Sequence, residues 1–212
     1  MKLLRIAMFV GTLMGSAQVL ATSFDGPWFG AGMGFRGQNT EISDNRGNDI
    51  NGIGKDSMYG VVQAGWGFVW HTSAGDFNLG PYAFYLLGTT ESNTVVPGGL
   101  VSAYVKWKNQ WGIGLQPGYF LSKDTVLYLK VGFNQTTGQL NLQNAQGQVS
   151  PQDQFSGPGV GLGMKHELGN GVTIFVDAQQ QYYRDKTYTA GNSSITIKPK
   201  MTMGTFGFGY QF

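Results

Sequence analysis

From Thr202 to Phe212 the even positions Phe206, Phe208, Tyr210 and Phe212 are aromatic, while Thr205, Gly207, Gly209 and Gln211 between them are small or polar. A period of two belongs to a β-strand with one apolar face, and the chain repeats it. Val172, Ile174, Val176, Ala178 and Tyr182 alternate with Thr173, Asp177, Gln179 and Gln181. Leu127, Leu129, Val131 and Phe133 alternate with Tyr128, Lys130, Gly132 and Asn134, and Val160, Leu162 and Met164 with Gly159, Gly161, Gly163 and Lys165. Trp111, Ile113 and Leu115 alternate with Gln110, Gly112, Gly114 and Gln116. Three further segments fit at about 27–38, 57–70 and 77–90, the third apolar on both faces at Tyr85, Leu86 and Leu87.

The connections between these eight segments alternate in length. His71 to Asp76, Ser122 to Asp124 and Gly169-Asn170-Gly171 are short, the last with hairpin chemistry. The connections at about 39–56, 91–101, 138–153 and 187–197 are longer and polar. Eight antiparallel strands with short turns at one end and long loops at the other describe an up-and-down transmembrane barrel, with turns in the periplasm and loops outside the cell. This is the expected fold class: an all-β, eight-stranded antiparallel up-and-down transmembrane β-barrel. A soluble lipocalin-like barrel has the same strand number, so the polarity of the faces decides between them. An eight-stranded interior has room only for a filled layer of side chains. Gly30, Gly32, Gly34, Gly112, Gly114, Gly161, Gly163, Gly207 and Gly209 share the small face, so that face is the lumen. The bulky aromatics then point outward, which only lipid tolerates on this scale.

Composition agrees. Thirty-four glycines in 212 residues are about twice the usual share of roughly 7%, and each would cost a helix about 1 kcal/mol relative to alanine. Residues 1–21 have the pattern of a cleaved signal peptide, with Lys2 and Arg5 ahead of the apolar run Ile6 to Gly15 and a small-residue site at Val19-Leu20-Ala21. The expected mature chain is a single barrel domain over 22–212. Loss of Lys2 and Arg5 takes the formal charge from +2 to zero, which gives nucleic acid no electrostatic footprint. The absence of cysteine fits an exported protein.

The chain resembles the small eight-stranded outer-membrane proteins of the OmpX and opacity-protein type. The residues that carry the likeness are Trp28-Phe-Gly-Ala-Gly-Met-Gly-Phe35 after the leader, Val62 to Phe68, and Gly207-Phe-Gly-Tyr-Gln-Phe212. The resemblance implies a monomeric barrel in the bacterial outer membrane, with roles from adhesion to envelope stability set by its loops. It also implies that Phe208, Tyr210 and Phe212 form the signal read by the outer-membrane assembly machinery.

Chemistry has few candidates. His71 falls in the first turn within His71-Thr-Ser73, and His166 sits near the third turn with no serine in register. A general base needs a nucleophile within hydrogen-bond reach, so neither histidine makes a convincing catalytic centre, and catalysis is not expected. The oxygen-rich stretch Asp44 to Asn51 lacks the spacing and closing carboxylate of a calcium loop; neither metal nor cofactor is expected. The inward positions Arg36, Lys130, Lys165, Glu167 and Asp177 form an expected lumen charge network of structural role. Tyr59, Trp70, Trp107, Trp111, Tyr119, Tyr128, Tyr182 and Tyr210 are expected in interfacial girdles. The parity of Val172 and Phe212 carries outward to Arg184, Lys186, Lys198 and Lys200, about 30 Å above the turns. These four cations are an expected binding rim for lipopolysaccharide phosphates.

The expected function is therefore a non-enzymatic outer-membrane barrel engaged in surface interaction or envelope integrity. Its expected partners are membrane lipid, lipopolysaccharide, the assembly machinery and a surface ligand held by the loops. The alternatives are a lipid A modifying enzyme, or a narrow pore or carrier of small hydrophobic molecules, the last because Phe84 and Leu86 project inward.

Overall fold

The computed structural model describes residues 24–44, 49–53, 56–73, 75–95, 102–144, 147–149, 152–190 and 193–212. The expected leader at 1–21 lies outside them, as do the side chains of the stretch from Asp44 to Asn51. The strands are β1 (Gly26–Asp44), β2 (Asp49–Ile53), β3 (Asp56–Thr72), β4 (Gly75–Leu87), β5 (Thr90–Val95), β6 (Ser102–Ser122), β7 (Thr125–Asn144), β8 (Gly147–Val149), β9 (Gln152–Gly169), β10 (Val172–Tyr182), β11 (Lys186–Ala190) and β12 (Ser193–Gln211). Eight of them, β1, β3, β4, β6, β7, β9, β10 and β12, form the wall, each antiparallel to its neighbours. The ring closes where β12 pairs with β1, from Trp28 opposite Gln211 to Asp44 opposite Ile195. Closure leaves the wall no free edge, which lets strands cross a membrane.

The three short connections are tight hairpin turns. At the third, Gly169, Asn170 and Gly171 all have positive φ, of 117°, 53° and 78°, a conformation open to glycine and asparagine and strained for most other residues. The long connections differ from expectation. Instead of simple polar loops, β2 pairs with β1, β5 with β6, β8 with β7 and β11 with β12. The hairpins thus continue as β-ribbons beyond the wall, because backbone groups in these polar segments still find ladder partners.

Outward positions carry the apolar belt, including Phe29, Met33, Phe35, Trp66, Phe68, Leu129, Leu162, Val176, Phe206 and Phe208, all among the exposed large hydrophobics. Inward positions are glycines or buried side chains. Close approach explains many of the glycines. A Cβ on Gly163 would stand 2.5 Å from the Tyr128 ring, and one on Gly32 would meet the backbone of Phe206 and Gly207. Two apolar clusters pack the lumen. One, at the turn end, joins Phe24, Val126 and Tyr128 with Phe120 against them. The other runs from Trp28 through Tyr82, Phe84, Leu86 and Tyr59 to Trp107, Phe155, Tyr183 and Met201. Phe84 and Leu86 project inward as expected and are consumed in this packing.

Candidate functional site

Two features could carry function: the lumen's polar groups and the exterior rim. The five charged residues expected as one lumen network separate into four places. Lys130 on β7 and Asp177 on β10 form an ion pair of 2.8 Å, with side chains 4% and 1% exposed. Lys130 also lies 3.4 Å from Gln63 Oε1, and the Tyr128 hydroxyl donates to Asp177 over 3.4 Å. Lys165 joins no carboxylate at ion-pair distance among the described residues. Its Nζ stands 3.8 Å from the centre of the Trp28 ring, a cation–π contact in place of a carboxylate partner from the expected network.

Arg36 belongs to a second, separate network. Its Nε donates to Ser57 Oγ over 3.0 Å and its Nη1 to Gln110 Oε1 over 3.1 Å. The Gln110 amide donates onward to Gln181 Oε1, and the Gln181 amide to Asn134 Oδ1 over 3.3 Å. The Tyr183 hydroxyl donates to Gln181 Oε1 at 2.6 Å, and Ser57 and Thr90 share a hydroxyl contact of 2.7 Å. This chain links β1, β3, β5, β6, β7 and β10, so it crosses the barrel like a bar. Gln110 is 1% exposed, Gln181 0% and Asn134 1%. Residues held this way need polar partners once buried, and the bar supplies most of them. Gln110, Gln181 and Asn134 were legible only as polar residues on inward faces, because cross-lumen distances have no signature in sequence.

Glu167 is a correction. It sits at the third turn, where its Oε1 accepts from the Gly171 backbone N–H at 3.2 Å. It satisfies a turn and meets no lumen charge among the described residues. Three of the expected girdle residues are likewise corrected: Tyr59, Trp107 and Tyr128 are buried in the lumen at 4%, 1% and 3% exposure. Tyr128 shares the parity of Lys130, and Tyr59 that of Val61 and Gln63. Trp107 is turned inward by a bulge between Lys108 and Trp111, where Asn109 takes φ 53°. Trp70, Tyr119, Tyr182 and Tyr210 do face outward near strand ends.

At the ribbon end the four expected cations also divide. Lys198 and Lys200 lie at outward positions of β12, and Arg184 is exposed beside them. Lys200 is held by Glu41 at 3.0 Å. Lys186 is the correction. The pairing shifts by one residue across 183–185, from Tyr182 opposite Lys200 to Lys186 opposite the buried Ile197. One extra residue flips parity, so Lys186 turns in over the Phe155 ring and pairs with Asp153 at 2.8 Å.

Both histidines are at the turn end. His71 Nδ1 and Asp76 Oδ1 are 2.8 Å apart and exposed. His166 Nδ1 meets Thr125 Oγ1 at 2.9 Å across the β7–β9 ladder, a hydroxyl partner that a search for serine overlooks. Phe208 and Tyr210 face outward on β12, and Phe212, directly after its last residue, is exposed as well. Among the described residues no group of three metal-binding side chains comes together.

No protein-family model matches the sequence, and no curated protein matches it at a significant level. Many solved structures share its fold. The outer membrane protein OprG of Pseudomonas aeruginosa is 14% identical, with 89% of this chain and 96% of that one aligned at a TM-score of 0.56. The outer membrane protein AlkL, determined in lipid bilayers, is 18% identical over 93% of this chain and 95% of that one, at a TM-score of 0.50. At such identities the likeness establishes the fold. With the apolar belt and closed wall described above, it makes the chain an outer-membrane β-barrel.

Proposed function

We propose that the protein is a non-enzymatic, occluded barrel that serves envelope integrity and presents its β-ribbons at the cell surface. The observation that carries this reading is the bar from Arg36 through Gln110 and Gln181 to Asn134. Side chains from opposite walls meet across the lumen, and apolar clusters fill the space on both sides of them. An eight-stranded interior is wide enough only for such a filling. Transport through the centre would require breaking a buried, interlocked set of hydrogen bonds, each broken polar group costing about 1–3 kcal/mol.

The ribbons add the second half of the reading. They continue the wall at the end opposite the three short turns, which in barrels of this kind is the exterior. The test is electrical and chemical. Purified protein in planar bilayers should show no stepwise conductance, and lipid A incubated with it should keep its mass. Regular single-channel steps would overturn the occluded reading, and loss of an acyl chain or phosphate would overturn the non-enzymatic one.

A further inference from the structure

We propose that the lipid-facing side of β1, β12, β10 and β9 is a seat for one phosphorylated acyl lipid of the outer leaflet, with the chemistry of lipid A. The inference deepens the envelope role above and rests on its orientation of the barrel, turns in the periplasm.

The seat begins as a groove in the apolar belt. Gly204 lies opposite both Ala178 and Phe35, and Ala178 lies opposite Leu162. Across this row the outward surface drops, because two adjacent strands offer a hydrogen atom and a methyl group between Phe35 on β1 and Leu162 on β9. A Cβ placed on Gly204 meets nothing within 4 Å. Phe35, Val176, Leu162 and Phe206 rise around the depression, which measures about 690 Å³, within the ~300–1,000 Å³ of ordinary ligand sites. Its lining is apolar, as an acyl chain requires.

Directly above the groove the same surface changes polarity in two steps. Thr202 lies opposite Gln180, and its hydroxyl donates to the Gln180 amide oxygen. That contact leaves the Gln180 amide N–H groups to face the carbonyl level of a lipid. Higher again, Lys200 lies opposite Tyr182. Tyr183 N donates to Pro199 O at 3.2 Å, which keeps Arg184 level with Lys198. With a climb of about 2.5 Å per residue, Lys200 and Lys198 stand about 10 and 15 Å above Gly204. A leaflet's hydrocarbon is ~15 Å deep, so the cations meet phosphates when the groove holds that lipid's chain.

The carboxylates on this rim set the affinity. Glu41 holds Lys200, Asp56 approaches Gly37 from β3, and Asp185 follows Arg184 and is exposed. Glu41 and Asp56 border the cations on the β1 and β3 side. On the β9 side Gln154 and Ser156 bring no charge. The basic half of the rim therefore lies over β10 and β12, which form the floor of the groove.

The experiment measures binding of bis-phosphorylated hexa-acyl lipid A to the full barrel in neutral micelles. Fully deacylated lipid A and phosphatidylglycerol are the comparison probes. Arg184→Gln with Lys198→Gln should weaken lipid A about tenfold at low salt, with the difference shrinking at ~0.5 M salt. Glu41→Gln, which frees Lys200, should tighten it about fivefold. Gly204→Leu fills the groove with an apolar side chain and should weaken lipid A about threefold or more at any salt, while leaving the deacylated probe unchanged. Heat-modifiable gel mobility verifies that each variant is folded. Wild-type affinity in Gly204→Leu, or in the double glutamine variant, would overturn the seat and leave the lysines as snorkelling anchors. Equal binding of phosphatidylglycerol would overturn lipid A as the occupant. Conductance by wild-type protein would remove the occluded reading and leave these binding results intact.

Discussion

The ion pair between Lys130 and Asp177 gives the most quantitative test of the lumen. The two charges are 2.8 Å apart with side chains 4% and 1% exposed. At an effective dielectric of ~20 their attraction is about 6 kcal/mol, against which stands a desolvation cost of several kcal/mol for each ion. The net value of the pair is therefore small, whereas the cost of breaking it is large. Asp177→Ala leaves Lys130 with no carboxylate among the described residues, held by Gln63 Oε1 at 3.4 Å and the Tyr82 ring at 5.3 Å, and it removes the acceptor of the Tyr128 hydroxyl. The expected loss is about 3–5 kcal/mol. With a urea slope of about 2 kcal/mol per molar, the folding midpoint in micelles falls by about 2 M. Lys130→Met combined with Asp177→Leu replaces the pair with apolar volume and should return stability to within ~1 kcal/mol of wild type, or above it. A shift below ~0.5 M in Asp177→Ala, with unchanged slope, would refute a dry lumen at this level. A double variant as unstable as the single would refute the uncompensated charge as the cause.

Replacing Phe212 with Ser, or deleting it, should lower the amount of heat-modifiable barrel in the outer membrane severalfold, since it completes the outward aromatic row that Phe208 and Tyr210 begin on β12; normal levels would remove that row as an assembly signal. Gly163→Val should abolish folding, because its Cβ would enter the Tyr128 ring, while Gly204→Val should fold normally in the same gel assay. Leu129→Arg, at an outward position 52% exposed, should cost about 2–4 kcal/mol by urea unfolding in lipid; a near-zero cost would place that face in water. Arg36→Met should cost about 1–3 kcal/mol through the unpaired Gln110 and Ser57 groups, read as a lowered urea midpoint.

The wall was legible because its signal is repeated and local. Each segment announced its own period, and the short turns carried their own chemistry, as in Gly169-Asn170-Gly171 with three positive φ values. The face assignment followed from volume, since glycines such as Gly163 and Gly207 have no room for a Cβ. What escaped was non-local or singular. A bulge is one residue in a long strand, yet the one at Asn109 turned Trp107 into the lumen, and the one at 183–185 did the same to Lys186. The ribbons escaped because polar sequences such as those of β5 and β11 lack alternating hydrophobicity, although their backbones pair along one side with β6 and β12.

The candidate sites show the same division. Parity placed Arg36, Lys130, Lys165 and Asp177 inward correctly, but it could not say which would touch. Strand order brings Lys130 and Asp177 to one level across β9, where Gly161 and Gly163 leave the intervening wall bare. Arg36 is met at another level by Gln110, a residue with no charge to advertise it. The consequence is an interior divided into tiers, each closed by its own hydrogen bonds and separated by aromatic packing. Such an interior fixes the barrel's shape and leaves the chemistry of recognition to surfaces that packing does not consume. In the reading proposed above, those surfaces are the ribbons and the basic rim over β10 and β12, where Arg184, Lys198 and the Glu41-bound Lys200 stand above the groove at Gly204.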